Sequence, residues 1–81
     1  MPGRTPDLVA LGRAVRATRE TRGISQVELA EATGFRQSWI SSVEHGRRNP
    51  SWNNVVRLAD GLGVRPSALV KRAEAVADEP G

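Results

Sequence analysis

Residues that end helices recur along the chain, and their spacing limits the fold more than any other feature of the sequence. Gly23, Gly34 and Gly46 each follow a stretch with helical apolar spacing, and a turn at 63–65 leads into Pro66. Glycine favours the left-handed conformation in which helices stop, and proline suits the first position of a new helix. No segment alternates apolar and polar residues as a half-buried strand does. The sequence therefore predicts an all-α fold, a compact bundle of five short helices.

Capping signals predict where these helices begin. Asp7 is the expected N-cap of the first helix, and Ser51 is that of the fourth. Ser25 and Glu28 have the spacing of a capping box, in which each side chain satisfies a backbone donor of the other residue. The expected bounds of the five helices are, in chain order, about 7–22, 26–33, 36 or 37 to 45, 52–62 and 66 onward.

The two ends of the chain differ from its middle. Residues 1–6 are rich in proline and glycine, and residues 73–81 carry acids but no base. We expect a flexible arm over 1–6, one folded domain over 7–73 and a frayed acidic tail over 74–81. The residues expected to supply the core of the four leading helices are Leu8, Leu11, Val15, Thr18, Leu29, Ala30, Trp39 or Ile40, Val43, Trp52, Val55, Val56, Leu58, Ala59 and Leu62.

Composition excludes several classes of protein. With 81 residues the chain has room for one domain, and with no cysteine it has no disulfide and no cysteine-based zinc site. No apolar run approaches the roughly 20 residues that span a bilayer, and the first residues lack the apolar stretch of a signal peptide. A single histidine, no G-x-S-x-G motif and no glycine-rich phosphate loop argue against an enzyme. We therefore expect a cytoplasmic protein that is not an enzyme and has no metal site, cofactor or small-molecule ligand.

Residues 24–50 are the informative stretch, because they indicate a helix, a tight turn and a second helix. Leu29 and Ile40 can pack the two helices together, while the outer face of the second helix is left polar. Arg, Gln and Ser side chains on such a face can read base edges in the major groove of DNA. The net charge of +3, with every basic residue except Lys71 an arginine, supports nucleic-acid binding only weakly. From the residues alone, a DNA-reading face and an ordinary solvated face both remain open.

A set of motif positions resolves this choice. They are Ser25-Gln26, Leu29-Ala30, Gly34, Ile40-Ser41, Glu44-His45-Gly46 and Pro50, with Leu11-Gly12, Arg16, Arg19, Gly23, Leu58-Ala59, Leu62-Gly63-Val64 and Leu69 around them. With these residues the chain resembles the XRE family, the helix-turn-helix family of the lambda and Cro repressors, over about 8–70. The resemblance implies a lambda-repressor-like bundle with the helix-turn-helix at helices two and three. It also implies a sequence-specific transcription regulator that places its third helix in the major groove of double-stranded DNA.

The resemblance implies a role for each polar residue of the stretch. The expected base-reading residues, at the start of the third helix and one turn later, are Arg36, Gln37, Ser38 and Ser42. The expected phosphate-binding residues are Gln26, Trp39, His45, Arg47 and Arg48. Trp39 has an alternative, which is to pack over the neighbouring loop. Some members of the family bind proteins, as adaptors or antitoxins do, but the basic pair Arg47-Arg48 favours DNA.

Arg19 and Glu44 have a different expected role. A glutamate facing phosphate would repel it, so Glu44 needs a partner that neutralises its charge. The resemblance implies that Arg19 is that partner, in a structural ion pair that joins the first helix to the third.

A homodimer is the expected assembly, because one reading helix contacts too few base pairs to select a site in a genome. Two-fold dimers place two such helices about 34 Å apart, so the operator should be an inverted repeat. The expected dimer contact is in the fifth helix, at Leu69, Val70 and Ala73; if the core of the monomer takes Leu69, then Val70, Ala73 and Val76 remain for the partner. Phage repressors, antitoxins and controllers of restriction-modification genes all remain open as the kind of regulator.

Overall fold

A computed structural model of the chain describes residues 6–79. Of the expected arm and tail, residues 1–5 and 80–81 lie outside this range. The described part folds into five α-helices and contains no strand, so the prediction of a five-helix, all-α bundle is confirmed. The helices are α1 (Leu8–Thr21), α2 (Gln26–Thr33), α3 (Gln37–Glu44), α4 (Trp52–Leu62) and α5 (Pro66–Ala77).

Local sequence sets the ends of the helices. The Asp7 carboxylate accepts from the Ala10 amide at 2.9 Å, and the Ser51 hydroxyl accepts from the Asn54 amide at 3.2 Å. Both hydrogen bonds of the capping box are present between Ser25 and Glu28, each at 3.0 Å. These bonds satisfy amide groups that have no partner within the first turn of a helix. The observed helices accordingly begin within a residue of their expected starts.

The core lies where the five helices meet. α1 packs against α5 and α3, and α2 packs against α4 and α3. The largest fully buried side chains are Leu29, Ile40, Leu58, Leu62, Leu69, Val15 and Val43. The first and third helices approach closely at Gly12, where an added Cβ atom would lie only 2.7 Å from the backbone oxygen of Glu44. This contact places α1 directly behind the end of α3.

Two residues of the expected core are exposed. Trp52 has 60% of its surface exposed and Val56 has 37%. Trp52 is the first residue of α4 and lies at the rim of an open groove, while Val56 lies beside the stripe formed by Val55, Leu58 and Ala59. Leu8 and Leu11 are half-buried, because they line an open groove and do not reach the centre of the core.

The fifth helix is longer than expected. It continues to Ala77, and the Asp78 amide still donates to the carbonyl oxygen of Glu74 at 3.0 Å. Residues 74–77, which the composition assigns to a frayed tail, are therefore helical. α5 packs along α1, and Val76 and Ala77 are half-buried, so packing stabilises a segment whose acidic composition suggests no fixed structure.

An apolar groove of about 360 Å³ runs between the start of α1, the start of α4 and α5. Its lining includes Leu8, Leu11, Trp52, Val55 and Val70. Within residues 6–79 no helix is long and apolar enough to cross a membrane. The same part of the chain holds no group of three or more acidic or histidine side chains that could bind a metal ion.

Candidate nucleic-acid interface

A buried ion pair joins the first helix to the third. Arg19 donates from Nε to one carboxylate oxygen of Glu44 at 2.8 Å and from Nη2 to the other at 3.1 Å. The two side chains are only 13% and 2% exposed. The hydrogen bond to Glu44 raises the pKa of Arg19, and the negative charge of Glu44 adds to this against the cost of burial. The structure thus contains the ion pair that the resemblance implies, in which Arg19 of α1 neutralises the carboxylate of Glu44.

Two further contacts extend this pair to the second helix. Nη1 of Arg19 donates to the carbonyl oxygen of Ile24 at 2.9 Å, which holds the link between α1 and α2. The side-chain amide of Gln26 donates to Glu44 at 3.0 Å. Glu44, at the end of α3, therefore accepts hydrogen bonds from α1 and from α2. We call Arg19, Gln26 and Glu44 the Glu44 cluster. Sequence reasoning gave Gln26 a phosphate contact and missed this bond, although both residues are motif positions.

The contact to Glu44 leaves Gln26 able to bind an anion as well. Gln26 is the first residue of α2 and is half-buried. A side-chain amide carries two N–H groups, and only one is needed for the bond to Glu44. With its orientation fixed by Glu44, Gln26 can offer the second N–H beside the amino end of α2, where a negative group is favoured.

α3 presents the expected base-reading residues on its outer side. Arg36, Gln37 and Ser38 are exposed, and Ser42, one turn beyond Ser38, is half-buried. The opposite side of the helix is anchored, since Ile40 and Val43 have no exposed surface. Arg36 is the N-cap of α3, and its side chain makes no capping hydrogen bond. The polar side of α3 is therefore free to contact a ligand while the helix itself is held firmly.

An aromatic stack closes the turn between α2 and α3. The ring centres of Phe35 and Trp39 are 4.3 Å apart, and the planes are tilted by 33°. The guanidinium of Arg57, from α4, lies 4.6 Å from the centre of the Phe35 ring. Trp39 thus packs over the neighbouring turn, as one of its two expected roles requires, and it remains half-buried. Sequence reasoning missed Phe35 and Arg57, because nothing in the local pattern links them.

Exposed arginine and histidine side chains follow α3 directly. His45, Arg47 and Arg48 are all exposed in the segment between α3 and α4. The backbone of this segment is tied to α3, because the Arg47 amide donates to the carbonyl oxygen of Ser42 at 2.9 Å. The His45 ring is fixed by a 2.7 Å contact between Nδ1 and the Ser41 carbonyl oxygen. These side chains therefore form a basic border beside the polar side of α3.

The expected dimer contact needs correction. Leu69 and Ala73 are only 1% and 3% exposed, because both side chains are used in the core of the monomer. Of the three expected residues only Val70 is accessible, and it is half-buried in the wall of the apolar groove. Helical spacing identified an apolar face correctly but could not tell whether that face was already occupied by α1.

Comparison with known proteins relates this architecture to a family. The family profile described as a helix-turn-helix domain matches residues 10–73. Over 71 residues the chain is 31% identical to the immunity repressor protein of Bacillus phage phi105, which covers 88% of this chain and 49% of the repressor. It is 35% identical over 60 residues to the control protein C.BamHI of Bacillus amyloliquefaciens, covering 73% of this chain and 74% of that protein.

A solved structure gives the same result for the fold. The restriction-modification controller protein C.AhdI from Aeromonas hydrophila superposes with a TM-score of 0.74 and is 39% identical. The match covers 76% of this chain and 94% of C.AhdI. The chain spans about half the length of the phi105 repressor and a larger share of the control proteins. With its profile match, its relatives and its five-helix fold in agreement, the chain belongs to the helix-turn-helix domain family.

Proposed function

We propose that the chain is a transcription regulator that binds double-stranded DNA in a sequence-specific manner, with α3 in the major groove. The observation that carries this proposal is the two-sided character of α3. Its inner side, at Ile40, Val43 and Glu44, is buried, and its outer side carries the exposed polar residues Gln37 and Ser38. A firmly held helix with donors and acceptors on its free side fits the width of the major groove and the hydrogen-bonding edges within it.

In the proposed complex the basic border fixes the position of α3. Arg47, Arg48 and His45 contact the phosphate backbone, and Gln26 offers its second N–H to a phosphate at the start of α2. Such contacts set the register of the protein on the duplex, while the base-reading residues select the sequence. The proposed base-reading residues are Arg36, Gln37, Ser38 and Ser42.

Two copies are needed for useful specificity, so we propose a homodimer on an inverted-repeat operator. Because Leu69 and Ala73 are buried, the contact moves to the rim of the apolar groove, where Trp52 and Val70 are accessible. The exposed Trp52 is two residues beyond Pro50, next to the segment that carries the basic border. A partner placed there lies close to the DNA, as a two-fold arrangement of α3 helices requires.

The proposed activity is binding and not catalysis, and it places the protein where the chromosome is, in the bacterial cytoplasm. Similar proteins include a phage immunity repressor and a restriction-modification controller protein. The genes that flank the coding sequence would distinguish these two roles.

Selection from randomised duplex DNA, followed by footprinting of the enriched sequence, tests the proposal. We expect an inverted repeat, protected on both halves, that is bound at least about a thousand-fold more tightly than random DNA, the lower end of the usual range of about 10³ to 10⁷. Absence of any enriched sequence, with equal binding to all duplexes, would reject sequence-specific regulation. Binding to no duplex, even at low salt, would favour the adaptor or antitoxin alternative, in which the partner is a protein.

A further inference from the structure

Arg57, in the middle of α4, reaches the turn of the helix-turn-helix from outside the motif. Its Nε donates to the carbonyl oxygen of Thr33, the last residue of α2, at 2.8 Å. The final carbonyls of a helix have no partner within the helix and carry partial negative charge. Arg57 therefore closes the end of α2 from a different helix.

The same guanidinium continues into the aromatic stack. It lies over the ring of Phe35, which stacks in turn on Trp39. Attraction between a cation and an aromatic face favours this geometry. A Cβ atom at Gly34 would lie 3.0 Å from a terminal nitrogen of Arg57, so the turn leaves little free space under the guanidinium. Three layers, guanidinium, phenyl and indole, thus connect α4 to α3.

The stack ends at the part of α3 that is proposed to read bases. Trp39 is the third residue of α3, directly after Ser38 and one turn before Ser42. No side chain caps the amino end of this helix, since Arg36 makes no capping bond. The first turn of α3 is consequently held by the stack on one side and by the buried Ile40 on the other. The indole of Trp39 therefore lies against the Phe35 ring, which lies in turn against the Arg57 guanidinium.

We propose that Arg57 is a positioning residue for sequence recognition, acting through Phe35 on Trp39 and the first turn of α3. The proposal rests on the proposed function, and it adds a determinant of specificity that touches no base. Arg57 is exposed and basic, so it also has a plain alternative role as one more phosphate contact. The two roles differ in measurable ways, because a phosphate contact contributes equally on every sequence and adds to the salt dependence.

Arg57→Lys is the informative change, because lysine keeps the charge but loses the planar group that stacks and the Nε donor. Arg72→Lys, at an exposed position in α5, is the matched control. DNA binding is measured in the parent background, and fluorescence alone is measured in a Trp52→Phe background, in which Trp39 is the only tryptophan. For Arg57→Lys we expect operator affinity to fall about ten-fold, the size of one lost base contact, with affinity for random DNA unchanged. We also expect the salt slope to stay constant and the emission of Trp39 in the free protein to shift. The control should change neither the operator affinity nor the emission of Trp39.

A double-mutant cycle links the effect to the stack. If Arg57 acts through Trp39, then Arg57→Lys should change operator affinity by less than about two-fold once Trp39 is alanine, because coupled residues are not additive. Phe35→Leu keeps apolar packing, removes the middle ring and should reproduce the loss of operator preference. Thermal melts of each variant establish that the fraction bound reflects folded protein.

Other results would overturn the proposal. Equal weakening on operator and random DNA in Arg57→Lys, or a salt slope reduced by about 0.9 in the uncharged variant Arg57→Met, would make Arg57 a phosphate contact. An unchanged operator preference in Arg57→Lys, or a full ten-fold effect that persists without Trp39, would remove the positioning role. A parent protein that prefers no sequence at all would instead reject the proposed function, and that result is obtained before any variant is compared.

Discussion

Removing Arg19 is the sharpest test of how the fold holds α3. Arg19→Ala deletes both hydrogen bonds to Glu44 and the bond to the Ile24 carbonyl. It leaves a carboxylate that is 2% exposed with Gln26 as its remaining donor. Breaking one side of a buried ion pair costs roughly 3–5 kcal/mol, because the other charge stays buried without its partner.

That loss is large against the stability of so small a protein. A chain of this length has a free energy of unfolding of about 4–12 kcal/mol, and each kcal/mol moves Tm by about 4–8 °C. We therefore expect Arg19→Ala to lower Tm by roughly 12 °C or more, measured by circular dichroism at 222 nm. Arg16→Ala is the matched control, because Arg16 forms a 3.6 Å pair with Glu20 in which both side chains are about 60% exposed. Such surface pairs contribute about 0–1 kcal/mol, so its Tm should barely change.

Replacing both partners separates charge from packing. Arg19→Met with Glu44→Leu leaves no buried charge, and the half-buried Gln26 can exchange its lost acceptor for water. We expect the double variant to regain more than half of the lost stability, as apolar replacement of buried pairs commonly does. If Arg19→Ala instead melts with the Arg16→Ala control while its DNA binding collapses, the reasoning is refuted and Arg19 belongs to the DNA-contacting surface.

Four further outcomes are expected. Arg47→Ala or Arg48→Ala should weaken binding to operator and random DNA alike and lower the salt slope by about 0.9 each in filter-binding titrations; a loss confined to one sequence would mean that they read bases. Gln37→Ala should cost about 1–3 kcal/mol on the operator and little on random DNA, and an unaltered preference in a repeated selection would assign base reading elsewhere on α3. Val70→Glu should shift sedimentation of the DNA complex from two protomers toward one, whereas retained two-to-one binding would exclude the groove as the dimer contact. Hydrogen bonds from the backbone of Ser25, and to a smaller extent from its hydroxyl, lower the pKa of Glu28 in the folded protein. The charge of Glu28 therefore stabilises the fold above the ordinary pKa of a glutamate, and this stabilisation is lost as the pH falls through the lowered pKa. The Tm difference between the parent and Glu28→Gln should therefore disappear in acid, and a difference that is constant with pH would contradict this.

The features that the sequence predicted well are those that local chemistry decides. The caps at Asp7, Ser25 and Ser51 involve residues three positions apart, so a short window of sequence contains both partners. The Arg19–Glu44 pair spans a much longer separation, and it was predicted only because the family resemblance supplied it. Local periodicity by itself contains no information about which distant carboxylate an arginine meets.

The features that the sequence did not predict depend on how the helices are arranged relative to one another. Helical spacing marks Trp52 and Ala73 equally as apolar-face residues. Trp52 is nevertheless exposed, at the start of α4, whereas Ala73 is buried in the core. Which of them is covered depends on where neighbouring helices end, and no single helix determines that. The contact between Arg57 and Phe35 was missed for the same reason, because it depends on the packing of α4 beside the turn. The candidate site therefore includes a side chain from outside the motif.

The Glu44 cluster has a consequence for the thermodynamics of binding. Because one carboxylate accepts from α1 and α2 at the end of α3, the three helices lose their relative freedom together when the chain folds. The conformational entropy of ordering the reading helix is thus lost in folding and not at the DNA. What is left to order on association is the set of long surface side chains, chiefly Arg47 and Arg48, each of which costs about 0.5–1.5 kcal/mol to immobilise. A calorimetric titration should accordingly show the small heat-capacity change of a rigid protein docking, without the large one that accompanies coupled folding.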